Sequence, residues 1–295
     1  MIRIAYFVLR NAYPATPISH PAFHLSSFIL MPFLLQTAKN TYDTLRRLPQ
    51  VPAAYLHPWR RESIRRLAAL KDAHIGQRAF IIGNGPSLKN TDLSKLRDEF
   101  TFGMNRIYLM FPELGFTTTY LCVVNNLVIE QTASDLAALD LPKFLAWRSR
   151  RHFAQLPLTN HHLPTFLYTS YTTPKFSKDI RGRVWEGATV TNVALQLAFH
   201  MGFQQVILIG VDHNYTAAGK PNTTVTSQGD DPNHFSPAYF GKGFRWQLPD
   251  LETSEMGYHM ARQAYEAAGR EVLDATVGGK LTILPKVDYN SLFGK

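Results

Sequence analysis

One histidine, His234, lies in a stretch from Thr216 to Pro249 that shows no hydrophobic periodicity, within the run Gly229-Asp230-Asp231-Pro232-Asn233-His234-Phe235. An imidazole of ordinary pKa, about 6.5, accepts a proton at neutral pH, so His234 is a candidate general base. The alternative is a solvated or structural histidine. Asp230 and Asp231 beside it are candidate magnesium ligands or acids that keep the loop soluble. A segment this long inside a domain is usually a lid or a binding loop, which places a lid at about 216–249. Just ahead of it stands Val211-Asp212-His213-Asn214-Tyr215. There Asp212 can orient a ligand hydroxyl, hold a metal or cap a turn. A third cluster is Gly83-Asn84-Gly85-Pro86-Ser87-Leu88. Its glycines would let backbone amides approach a ligand, Pro86 stiffens the turn, and Ser87 offers a hydroxyl. It matches neither the dinucleotide fingerprint nor a Walker loop, which ends in Gly-Lys-Ser/Thr. Asn105 and the pair Asn125-Asn126 each come directly after an apolar run. An asparagine amide both donates and accepts, which suits a base edge or a ribose; it serves turns equally well.

The elements that must carry these residues emerge from the apolar pattern. Ala79–Ile82 is a short apolar run closed by glycine, the signature of a buried parallel strand. Phe102–Met104, Tyr120–Val124, Phe144–Trp147, Phe166–Tyr168, Val206–Ile209 and Glu271–Leu273 are further strand candidates. Thr191–Met201, with Val193, Leu197 and Met201 four apart, predicts a helix stopped at Gly202, and Glu255–Ala268 predicts another stopped at Gly269. Alternating strands and helices imply an α/β, doubly wound, Rossmann-like and mostly parallel sheet. In such a sheet ligands bind at the carboxyl ends of the strands, and the polar clusters of this sequence fall there.

Composition narrows the class further. The 295 residues are 45% hydrophobic, enough for a large core. The single cysteine, Cys122, sits in an apolar run; this excludes a disulfide framework and a cysteine-rich zinc site. The net charge of +9 is uneven: residues 1–77 hold ten Lys+Arg against three Asp+Glu, and residues 78–295 hold 21 against 19. A nearly neutral body argues against a nucleic-acid groove. The basic part is expected to be a helical leader, residues 1–71, ahead of a nucleotide-binding domain over 72–295. The apolar stretch Ala22–Gln36 is short and broken by Pro32, too short for a spanning helix of about 20 residues. With Arg46, Arg47, Arg60, Arg61, Arg65 and Arg66 after it, residues 20–66 read either as a surface-lying membrane segment or as a helix docked on the domain or on a second subunit. A cytoplasmic protein, peripheral at the inner face of the membrane, is the corresponding expectation. Composition leaves a homo-oligomer open.

The order Phe80–Leu88, Met104-Asn105, Gly187-Ala188-Thr189-Val190, Ile207–Asp212 and Asp274–Gly279 resembles the domain of unknown function 115 superfamily, the group similar to archaeal 6-hydroxymethylpterin diphosphokinase. The likeness spans about residues 72–293. The same order is similar to the family 42 sialyltransferases. That resemblance implies a cytidine nucleotide held at Asn84, Gly85, Ser87, Asn105 and Asn125, with Gly83, Thr189 and Asp212 completing the candidate nucleotide-binding set. It also implies a general base at His234, next to the aromatic Phe235. Of two tyrosines which that family places near the leaving phosphate, Tyr215 matches one; the family's arginine has no counterpart, Gly187 standing in its place. The implied activity is a nucleotide-dependent transferase, a glycosyltransferase taking a CMP-type sugar to a glycan or small hydroxyl acceptor in surface-glycan assembly, with no cofactor. The first resemblance implies instead a diphosphokinase moving pyrophosphate from ATP to a hydroxymethylpterin. That reaction would use Mg2+, with Asp212, Asp230 or Asp231 as ligands. A nucleotide-sugar-binding protein without catalysis is the third expectation.

Overall fold

The computed structural model describes residues 37, 38, 40–42, 44, 45, 47–157, 163–215 and 219–294. The apolar stretch Ala22–Gln36 lies outside them. Among the described residues no helix is long and apolar enough to cross a membrane. The compact unit that carries the sheet runs from Arg47 to Lys295.

Its centre is an eight-stranded sheet. The strands are β1 (Arg78–Ile82), β2 (Phe100–Met104), β3 (Tyr120–Val123), β4 (Lys143–Ala146), β5 (Thr165–Ser170), β6 (Arg183–Trp185), β7 (Gln205–Ile209) and, after a small separate hairpin, β10 (Glu271–Asp274). Their spatial order is β10-β7-β1-β2-β3-β4-β5-β6, and every neighbouring pair is parallel. The predicted Rossmann-like α/β sheet is therefore present. Ala79, Phe80, Ile81 and Ile82 of β1 are wholly buried, as a central strand covered on both faces requires. Cys122 is buried in β3, and that burial pushes its thiol pKa up. From β1 the chain builds outward to β6, then returns to lay β7 on the other side of β1. A crevice opens where the order reverses, at the carboxyl ends of β1 and β7.

Four long helices flank the sheet: α1 (Pro58–Leu70), α2 (Asn126–Ala138), α3 (Val190–His200) and α4 (Leu251–Glu266). Each has a side-chain N-cap: the ring of His57, Asn125, Thr189 and Asp250 in turn. The predicted helix over Thr191–Met201 is α3, stopped at Gly202 with φ +93°, which a residue with a Cβ adopts only under strain. The second predicted helix is α4, which starts four residues earlier than expected because Asp250 caps it.

One expectation needs correction. The stretch expected to lack regular structure contains an antiparallel hairpin, β8 (Thr224–Thr226) with β9 (Arg245–Gln247). Three-residue strands are too short for their alternation to register. Helix α1 follows one of the alternatives for residues 20–66, a helix docked on the domain: it packs against β5, and Arg60 is fully buried. Its Nη2 donates to the Arg181 carbonyl at 2.6 Å, and burial lowers its pKa to about 10. Arg66 donates to the Leu163 carbonyl at 2.7 Å, so only part of the run, including Arg61 and Arg65, faces outward. Ser63 ties α1 to the sheet: its hydroxyl accepts from the Phe166 amide at 2.9 Å and donates to the Trp59 carbonyl at 2.7 Å. Ser63→Ala would leave a buried strand amide without a partner, and should lower unfolding free energy by about 1–2 kcal/mol in urea titration. An unchanged midpoint would mean that α1 is not anchored there.

Candidate active site

A pocket of about 520 Å³ occupies the crevice at the carboxyl ends of β1, β2, β3, β6 and β7. That volume suits a small-molecule site. Gly83, Asn84, Gly85, Asn105, Asn125, Thr189, Asp212, Tyr215 and His234 all line it. Ser87 and Asp230 do not, and Asp231 stands behind His234. The end of β9 and its continuation into α4, Trp246 to Asp250, form the facing wall.

The turn after β1 works differently from a phosphate cradle. The Gly83 amide donates to the Ile209 carbonyl at 2.7 Å, and the Gly85 amide to the Gly210 carbonyl at 2.9 Å. The Ser87 amide donates to Asp212 Oδ1 at 3.1 Å and its hydroxyl to Asp212 Oδ2 at 2.7 Å. These donors are engaged within the fold, so they offer a ligand nothing. The glycines are required because the end of β7 presses on them: a Cβ on Gly83 would overlap the Gly210 carbonyl, and one on Gly85 the Asp212 carboxylate. Asp212 and Ser87 thus hold each other and pin the two strand ends together.

What the turn does present is Asn84. Its Nδ2 donates to the Met104 carbonyl at 3.1 Å, and its Oδ1 is buried without a hydrogen-bond partner. Asn105, in left-handed conformation at φ +50°, has its Oδ1 buried and unpartnered as well. Both residues line the pocket, with these two acceptors set below its surface. Asn125 combines a turn role with a pocket role. Its Oδ1 caps α2, accepting from the Leu127 amide at 2.9 Å, and its Nδ2 reaches Gln247 Oε1 at 3.5 Å. Thr189 caps α3, its hydroxyl accepting from the Thr191 amide at 3.3 Å. Beside it, burial raises the Tyr258 phenol pKa, so this hydroxyl stays neutral.

The first turns of α2, α3 and α4 all contribute to the pocket wall, through Val128, through Val190 and Thr191, and through Leu251, Thr253 and Ser254. Helix N-termini carry partial positive charge, which favours an anion; here the caps already take the amides of Leu127, Val128, Thr191 and Thr253, and the cap of α4, Asp250, puts a carboxylate on the pocket wall. Of the described residues lining the pocket, none is a lysine or arginine. Glu186, which lines it, is paired with Arg148, whose guanidinium also donates to the Val124 carbonyl at 2.6 Å.

His234 is held on several sides. Its Nδ1 lies 2.7 Å from Asp231 Oδ2, and its ring stacks on Tyr239 at 4.0 Å between centroids. Asp231 is itself fixed by the amides of Asn233, at 2.9 Å, and Phe240, at 3.2 Å. A carboxylate accepts only, so His234 must carry its proton on Nδ1, which leaves a lone pair on Nε2. The next residue ties this segment to the turn after β1: the Phe235 amide donates to the Asn84 carbonyl at 2.8 Å. An oriented imidazole thus sits on the wall that also holds Asn84, an arrangement able to remove a proton from a bound hydroxyl.

Among the described residues no group of three or more His, Cys, Asp or Glu could hold a metal ion. Asp212 serves Ser87, and Asp231 serves His234 and two amides. Asp230 is exposed outside the pocket. These three acids, the candidate magnesium ligands, do not converge. The orienting role of Asp231 is one that residue types alone leave unassigned, although a carboxylate three residues before a histidine is the signal that finds such a pair. Trp246, Gln247 and Tyr258 carry no such signal, since nothing in their local sequence marks them as pocket residues.

A family model described as 6-hydroxymethylpterin diphosphokinase MptE-like matches residues 56–218. Among solved structures, the MAf glycosyltransferase from Magnetospirillum magneticum AMB-1 is similar over 80% of this chain and 39% of its own, at 12% sequence identity and a TM-score of 0.43. The chain therefore spans well under half of that protein. No curated protein matches the chain.

Proposed function

The chain belongs to the 6-hydroxymethylpterin diphosphokinase MptE-like family, and from that premise we propose a nucleotide-dependent transferase that activates an acceptor hydroxyl with His234. The observation that carries the proposal is the Asp231–His234 pair on the wall of a pocket that Asn84, Asn105 and Asn125 also line. Those asparagine side chains would read the hydroxyls or base of a nucleoside. The phosphate would lie toward the N-termini of α2 and α3, away from the Asp250 carboxylate that caps α4.

The preferred reaction is glycosyl transfer from a CMP-type sugar to a glycan or small hydroxyl acceptor, in surface-glycan assembly. The acceptor oxygen attacks the anomeric carbon and forms the new C–O bond, its proton passing to His234 Nε2. The bond from that carbon to the phosphate oxygen breaks, and the nucleoside monophosphate leaves with the electron pair. Tyr215, at the pocket edge, would donate to that phosphate. A donor of this type carries a single phosphate charge, which helix N-termini can balance without a lysine or arginine. The hairpin wall would keep water from the reacting carbon.

The family's description favours a second reading, transfer of a diphosphoryl group from ATP to a hydroxymethylpterin. ATP brings several negative charges to a lining without lysine or arginine, so this reading depends more on magnesium arriving with the nucleotide. A thermal-shift panel of CMP, CDP, UDP, GDP and ATP, each with and without magnesium, separates the two, because a ligand that binds only the folded state raises the melting temperature. The expected result is stabilisation by CMP with or without metal. Stabilisation by ATP with magnesium alone would establish the second reading. A flat panel would remove both.

A further inference from the structure

His213 is the feature that the proposed reaction has not used. It stands at the carboxyl end of β7, lines the same pocket, and has a left-handed backbone at φ +52°. A non-glycine residue in that region is strained, and strain of this kind gathers at functional sites. Its Nε2 lies 2.9 Å from Glu255 Oε1, in the second turn of α4, and its ring meets Tyr258 edge-on at 6.2 Å. Glu255 accepts only, so Nε2 carries a proton and Nδ1 is the nitrogen left for a ligand. The pocket thus holds two imidazole–carboxylate pairs, Asp231–His234 and Glu255–His213, contributed by different segments.

Resting on the transferase reading, we infer that His213 binds the nucleotide's phosphate alongside Tyr215, donating to it from Nδ1 while Nε2 donates to Glu255. An imidazole set between two anions can offer an N–H to each, in a lining whose described residues include no lysine or arginine. The two pairs then divide the work. His234 accepts the acceptor's proton at Nε2, and His213 donates to the leaving group. The left-handed backbone at His213 belongs to the sharp turn beyond Gly210, where the chain leaves β7 and enters the pocket.

The test compares affinity for a nucleoside monophosphate with affinity for the bare nucleoside, using CMP against cytidine and AMP against adenosine, by titration calorimetry on the full chain. His213→Asn is the informative variant, since asparagine tolerates the left-handed backbone. It should cut the monophosphate-over-nucleoside preference by tenfold or more and leave nucleoside affinity within about twofold. Glu255→Gln keeps a hydrogen bond but removes the anion that favours the cation, and should cut the preference several-fold; it guards against misfolding of the first variant. An unchanged preference in both variants overturns the assignment and leaves the transferase reading standing. Wild-type protein that binds neither monophosphate overturns both.

Discussion

His234→Ala should lower turnover by about 10³-fold while nucleotide affinity stays within a few-fold, because a positioned general base contributes on that order and makes no contact that the resting nucleotide needs. The measurement is single-turnover transfer with whichever donor stabilises the protein, alongside calorimetry with the matching nucleotide. Asp231→Asn adds a sharper discrimination. An asparagine amide can donate to Nδ1, which would move the imidazole proton to Nε2 and block the lone pair where the acceptor sits. The ring would remain stacked on Tyr239, and a fall of about 10²-fold or more is expected, with some loss of stability because the same amide nitrogen would face the Phe240 N–H. If His234→Ala turns over at the wild-type rate, the imidazole is structural and the proposed chemistry is wrong. If it loses nucleotide binding as well, the ring is a ligand contact rather than a base.

The parts of this molecule that are legible in sequence are those whose physics is local. Seven of the eight sheet strands are visible as apolar runs because a strand covered on both faces has no polar position to interrupt it. The eighth, β6, is three residues long and begins with Arg183, so nothing marks it. The polar residues at the strand ends emerge by the same logic, and the fold gathers most of them into one pocket. Their roles are less accessible, because roles depend on partners distant in sequence. Ser87 and Asp212, each by type a candidate ligand contact, are 125 positions apart and bond to each other. Gly83 and Gly85 suggest an approaching phosphate, whereas the approaching group is the chain itself at the end of β7. The basic run around Arg60 suggests an outward surface, and only the packing of α1 on β5 reveals that this guanidinium points in. A residue's type tells what it can do; its partner decides which of those things it does.

That reassignment of the glycines makes a prediction that owes nothing to catalysis. Gly83→Ala places a Cβ on the Gly210 carbonyl oxygen, a backbone atom that cannot swing aside. On either side of it, the Gly83 amide is bonded to Ile209 at 2.7 Å and the Gly85 amide to Gly210 at 2.9 Å, so β1 and β7 cannot separate without breaking both. The expected loss is about 3 kcal/mol, at the upper end for overpacking and equivalent to a melting temperature lower by roughly 6–12 °C in a domain of this size. Gly229→Ala, where a Cβ meets nothing within 4 Å, is the control and should melt within about a degree of wild type. A phosphate-cradling turn predicts a different pattern: Gly83→Ala would keep its stability and lose nucleotide affinity. Scanning calorimetry of the two variants without ligand decides between these accounts. Wild-type melting of Gly83→Ala would return the turn to ligand binding and would mean that β1 and β7 do not close on each other as tightly as their hydrogen bonds imply.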